Sequence, residues 1–200
     1  MKNRKNWLIA TILVIVITIT FSLTMEWNSV NAQFGSQRGQ GCCDHLSARG
    51  QGIAIAADTF SVDAEFNLSG GQFGGVFGAQ SLQIKSTTKL LTQNPPTENG
   101  TINAITSHVF EVKGQSDEDG ICEQGEDCLV TLDRAALIPT TTPGLMDLRS
   151  VLAISDGQGR FAKACGKIDG TKGGDGQINF AATPPTVRWS FNGGNLCQCP

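Results

Sequence analysis

The chain has 200 residues, with 18 acids against 15 bases and a net charge of −3. Three of those bases (Lys2, Arg4, Lys5) and one acid (Glu26) lie in the first 32 residues, so the remainder is more acidic still. An acidic chain without Lys/Arg clusters excludes a nucleic-acid surface and an anionic membrane surface, both of which need basic side chains facing phosphate. Two His and no Tyr leave few groups for acid–base chemistry near neutral pH.

The N-terminus opens with a positive stretch, Lys2 to Lys5, followed by an apolar run from Trp7 to Leu23. Val30-Asn31-Ala32 then places small residues at the two positions a signal peptidase reads. This layout predicts a signal peptide over 1–32. The alternative is a retained anchor, because the run is just long enough to span a bilayer. Either way the rest of the chain is exported, and the expected location is secreted, periplasmic or at the cell surface. No membrane span is expected unless the leader is retained.

Residues 33–49 begin Gly/Gln/Ser-rich and are expected to be a flexible lead-in to a single β domain over 50–200. Phe60, Val62, Ala64, Phe66 and Leu68 alternate with polar residues, the period of a strand with one wet face. Paired glycines punctuate 70–78. Leu82 and Ile84 resume the alternation. Asn94-Pro95-Pro96 and Asn99-Gly100 mark a loop and a turn before a long strand over 102–112. An acidic loop, Asp117 to Asp127, precedes a short β-prone run at 129–132 and one expected helical turn at 134–138. Leu145 to Ile154 is apolar on both parities and reads as a deeply buried strand. Strands are expected at 161–168 and 176–182, and Val187, Trp189 and Phe191 alternate in the last one. No helical period is sustained. Eight to ten short strands with Gly-rich turns predict an all-β antiparallel barrel or sandwich.

Ser155-Asp156-Gly157-Gln158-Gly159-Arg160-Phe161-Ala162-Lys163-Ala164-Cys165-Gly166 resembles the G-x-G-R-F-A-x-A-x-G turn and strand of secreted bacterial β-barrel proteins. It is similar also to a segment of the allene-oxide-cyclase and dirigent-like barrels. The resemblance implies an eight-stranded antiparallel barrel, with the glycines in a tight turn and the short side chains packed inside. Cys165 stands where Thr or Ser is usual, and Lys163 where Gly is common. No catalytic residue of those enzymes finds a counterpart, so no activity carries over.

Seven cysteines in an exported chain are read first as disulfides. Cys122 and Cys128 bracket a loop of like charges and are expected to form a bridge. Barrel closure brings the first and last strands together, so a bridge is expected from Cys42 or Cys43 to Cys197 or Cys199. Cys165 is then expected to be left partly alone. If the termini meet, Cys42, Cys43, His45, Cys197 and Cys199 could instead surround zinc or copper. In the acidic loop, Asp117, Asp119 and Glu123 are the candidates for Ca²⁺. Their spacing departs from an EF-hand, with Gly120 at the fourth position and Cys128 at the twelfth, so weak or no binding is expected. No basic cluster suggests an internal partner for this loop. Glu111 and Lys113 share a polar strand face and are expected to be solvated. His108 lies on the apolar parity of its strand, where a hydrogen-bonded core histidine is the plainest reading. Trp189 and Phe191 either pack the core or line a barrel cavity.

No G-x-S-x-G, H-E-x-x-H or phosphate-loop motif occurs. The sequence therefore points to an exported, disulfide-stabilised barrel with a non-catalytic role, binding a small ligand or an envelope component and needing no cofactor. Two alternatives stay open: a cavity-based isomerase or cyclase, and an exported metal-binding protein. An open, polar barrel interior favours the enzyme, and one filled by side chains favours a structural role.

Overall fold

The computed structural model describes residues 43–77, 81–170 and 175–200. The predicted leader and Cys42 lie outside the described residues. Nine antiparallel strands run β1 (Asp44–Ala56), β2 (Thr59–Ser69), β3 (Ser81–Gln93), β4 (Ile102–Val112), β5 (Cys128–Pro139), β6 (Leu145–Gln158), β7 (Ala164–Asp169), β8 (Asp175–Asn179) and β9 (Thr186–Gln198). Each pairs with its sequence neighbour from β1 to β6, and β9 pairs back with β1, closing the sheet. β7 and β8 both lie between β6 and β9, β7 at one end and β8 at the other. The result is an eight-stave barrel in which one stave is built from two short strands.

Alternation explains which side chains fill it. Phe66 and Leu68 of β2, Ile84 of β3, Phe110 of β4 and Leu129 of β5 are buried inside, while their polar neighbours face out. Gly50 of β1 leaves room for the indole of Trp189, since a Cβ there would lie 2.8 Å from the ring. The β2–β3, β4–β5 and β6–β7 connections share one end of the barrel with the start of β1 and the end of β9. That end is plugged. A short helix, α1 (Gln72–Phe77), sends in Phe73, and a 3₁₀ turn at Gly159–Phe161 sends in Phe161, with ring centroids 5.7 Å apart. Buried Asp44 accepts hydrogen bonds from the N–H groups of Gly71 and Phe73, at 3.1 and 2.7 Å, and so holds α1 in place.

Several expectations need correction. β1 starts at Asp44, inside the segment expected to be flexible, because β9 offers it a ladder that local composition cannot reveal. Residues 128–139 are one continuous strand and not a strand plus helical turn; pairing with both β4 and β6 overrides local propensity. β6 is only half-buried over most of its length, since its outer face meets solvent and no second layer. Phe161 precedes its strand instead of beginning it. The glycine-punctuated stretch after β2 holds the helix α1.

Among the described residues three disulfides are present: Cys43–Cys197, Cys122–Cys128 and Cys165–Cys199. The first ties β1 to β9 across the barrel seam. The expectation that Cys165 stays partly alone is wrong: β7 pairs with β9, Cys165 lies opposite Cys197, and the chain just beyond returns Cys199 to it. With Cys43, Cys197 and Cys199 bridged, their sulfurs are not the thiolates that the zinc arrangement needs. His45 instead contacts Oδ1 of Asn192 at 3.2 Å. Three bridges accord with folding in an oxidising compartment. Among the described residues no helix is long and apolar enough to cross a membrane.

Candidate functional site

The end of the barrel opposite the plug is open. A cavity of about 250 Å³ enters there between the β1–β2 turn and Phe180, which is itself 46 % exposed. Its walls are mostly apolar: Phe60, Leu90, Ala104, Ala135, Leu137, Leu148, Leu152, Ile178 and Val187 all contribute. The floor is aromatic. Trp189 stacks on Phe191 at 5.3 Å, Phe191 meets the edge of Phe66 at 6.4 Å, and Phe66 touches Phe110 at 5.0 Å. His108 completes this chain, lying flat against Phe110 at 5.2 Å.

His108 is also the cavity's chief polar feature. The strand period that places Ala104 and Phe110 inward places His108 inward between them, 9 % exposed. From the next strand, Asp133 comes inward on the parity of Leu129, Ala135 and Leu137, and its side chain is 0 % exposed. His108 Nδ1 hydrogen-bonds to Asp133 Oδ2. Thr106 Oγ1 donates to the same oxygen at 3.3 Å. A carboxylate on Nδ1 fixes both the ring orientation and the tautomer, leaving Nε2 as the nitrogen available for other work. On the strands flanking β4, Ser86 Oγ of β3 and Thr131 Oγ1 and Asp133 Oδ1 of β5 are buried and find no hydrogen-bond partner among the described residues. Buried polar atoms without partners cost about 1–3 kcal/mol each, so one wall of the barrel is built more polar than packing requires.

Sequence reasoning placed His108, Trp189 and Phe191 inward but missed Asp133. The signal was there: continuing the parity of Leu129 and Thr131 puts an acid where the core should be. Splitting 129–138 into a run and a helical turn concealed it.

The acidic loop sits elsewhere, at the plugged end, folded against the outer face of β3 and β4. Gly120 lies against Thr87. Glu111, expected to be solvated, is fully buried beneath this loop and accepts a hydrogen bond from the Gly120 N–H at 2.8 Å. Burial, with Asp119, Glu126 and Asp117 nearby, pushes its carboxyl above the usual range, although the Gly120 N–H works the other way. Asp117 and Asp119 approach Glu111, and Glu123 is not in that group. Nor is the loop without an internal basic partner. Asp127 accepts from the Arg160 backbone N–H at 2.7 Å and from its guanidinium at 2.9 and 2.6 Å.

The segment that carries the family resemblance is structural here. A Cβ on Gly157 would lie 2.4 Å from the Phe161 carbonyl, and one on Gly159 would lie 2.3 Å from the Glu126 carbonyl. Arg160 and Phe161 then anchor the turn to Asp127 and to the barrel core. Compared with protein-family models, curated proteins and solved structures, the chain matches none.

Proposed function

We propose that this is an exported binding protein whose open barrel end takes a small, mainly apolar molecule carrying one polar group. The observation that carries this reading is the apolar cavity of about 250 Å³ with a buried His108–Asp133 pair set into its polar wall. The volume lies just below the usual range for ligand pockets, about 300–1,000 Å³, which fits a one- or two-ring compound better than a long lipid. Apolar walls supply affinity without direction, and the single polar locus supplies orientation. The apolar run at the N-terminus and the three disulfides support export. The closed eight-stave sheet supports reading the chain beside the dirigent-like barrels in fold.

The test uses 2-naphthol, a bicyclic probe with one hydroxyl, followed by its fluorescence. Saturable one-site binding is expected. Ala135→Phe, which fills the cavity from β5, should weaken it at least ~10-fold, as loss of the pocket's volume removes the apolar contact area. Asp133→Asn should weaken 2-naphthol more than naphthalene. Binding untouched by Ala135→Phe would place the ligand outside the barrel and sink the proposal.

A second reading is favoured by one feature, the Asp133-held imidazole. A positioned His with a free Nε2 is the arrangement of a general base, as a cavity-based isomerase needs. Deuterium exchange into the carbon acid 2-indanone, catalysed by the protein and lost in His108→Gln, would support catalysis. Binding of 2-indanone without exchange would support binding alone.

A further inference from the structure

We propose that the outer face of the barrel at β4 carries a Ca²⁺ site formed by Glu111, Asp117 and Asp119. One carboxylate oxygen from each lies within 4.8 Å of the other two. Oxygens that share one Ca²⁺, each about 2.3–2.6 Å from it, have that mutual spacing. Exposed acids at the tip of a loop would mean little by themselves. The decisive residue is Glu111, which comes from the barrel wall and not from the loop. It is 0 % exposed, and its Oε1 has no hydrogen-bond partner among the described residues.

A buried carboxylate is costly unless a positive charge or a full set of donors meets it. Glu111 has one donor, the Gly120 N–H on Oε2. The cation opposite it in register is Lys85, but Lys85 Nζ reaches Asp63 instead, at 3.3 Å. Lys113 Nζ also goes to Asp63, at 2.7 Å, and Arg160 to Asp127. The neighbouring basic side chains are thus committed elsewhere, while two further carboxylates are brought up to Glu111. A divalent cation would neutralise what the protein's own bases leave uncompensated.

The donor set selects the ion. It is all oxygen, with no imidazole or thiolate, which disfavours zinc and copper. Two of its three members sit on a loop, so the geometry is adaptable, which suits Ca²⁺ better than the strict octahedron of Mg²⁺. The failed EF-hand spacing has a simple cause: the third ligand is on a strand, outside the loop. Cys128 lies directly across from Glu111 and is bridged to Cys122, so the loop's far end is pinned beside the site.

The test is calorimetric titration of Ca²⁺, with Mg²⁺ in parallel, into the full chain after treatment with EDTA, at physiological NaCl. One Ca²⁺ site is expected in the range of extracellular modules, with Kd about 10⁻⁴–10⁻³ M, and Ca²⁺ should raise the melting temperature. Glu111→Gln and the exposed-loop variant Asp119→Asn should each weaken binding at least ~10-fold, and Glu123→Gln should leave it unchanged. Three results would overturn the proposal. One is no heat and no melting shift at about 10 mM Ca²⁺, well above that range. The second is binding that survives both Glu111→Gln and Asp119→Asn. The third is equal, multi-site uptake of Mg²⁺ and Ca²⁺, the mark of an ion atmosphere.

Discussion

Gly159 illustrates how single residues hold this barrel. Its φ of +58° is left-handed, and the space a Cβ would need is taken by the Glu126 carbonyl and by Asp127 Oδ1. Any side chain there must push away the carboxylate that grips Arg160. Gly159→Ala should therefore destabilise the protein by about 2 kcal/mol or more, combining left-handed strain with the lost anchor. Gly75→Ala is the control: its Cβ meets nothing within 4 Å, it lies in α1, and the change should be neutral or slightly stabilising. Denaturant midpoints of the two variants decide the matter. Lys163, three residues past the 3₁₀ turn's Arg160, adopts φ +65° without being glycine, a left-handed backbone that favours glycine.

Among the strands, the outer face of β2 and β3 is laced by charge. Asp63 of β2 takes Lys113 at 2.7 Å and Lys85 of β3 at 3.3 Å. The Lys113 contact does most to hold its carboxyl below the usual range; burial opposes it, and Lys85 adds to the lowering. A lowered acid is a better base in the unfolded chain, so the stabilisation is present above about pH 4 and is lost as pH falls through the depressed value. The side chain is 61 % exposed, so water screens most of the attraction and the gain stays under about 1 kcal/mol. Asp63→Asn should lower stability slightly at neutral pH and make the decline below about pH 4 shallower. Urea melts across that window check this, and added salt should shrink the difference between the two proteins.

For the molecule as a whole, closure is the organising fact. β1 and β9 meet along most of their length, and Cys43–Cys197 fastens that seam across a separation of 154 residues. On the chain-entropy model a loop of that length contributes about 5 kcal/mol and one of six residues about 2 kcal/mol. Replacing Cys43 and Cys197 together with Ser should thus lower the unfolding free energy more than replacing Cys122 and Cys128. If the two double variants melt alike, the seam is held by its ladder and the bridge adds little. Closure also partitions the interior: phenylalanines fill the plugged half, and the other half stays open around His108.

Local pattern was enough to specify an all-β chain. Side-chain period 2 is a property of the backbone, so Phe60 to Leu68 and Ile102 to Val112 announce their inward faces without any partner. The same alternation put His108, Trp189 and Phe191 inside, and the like charges of the acidic loop called for the Cys122–Cys128 clasp. What depended on strands distant in sequence was not legible. β1 from Asp44 exists because β9 lies beside it, and Cys165 is bridged because β7 pairs there with β9. Asp133 becomes part of a site only when 128–139 runs as one strand against β4. Glu111 is buried only because a loop folds back across its strand. All but the last join residues distant in sequence, and the last is a fold-back of the loop that follows β4. A sequence records the periodicity that makes a strand, but which strands meet, and so which charges are buried together, is settled by the closed sheet.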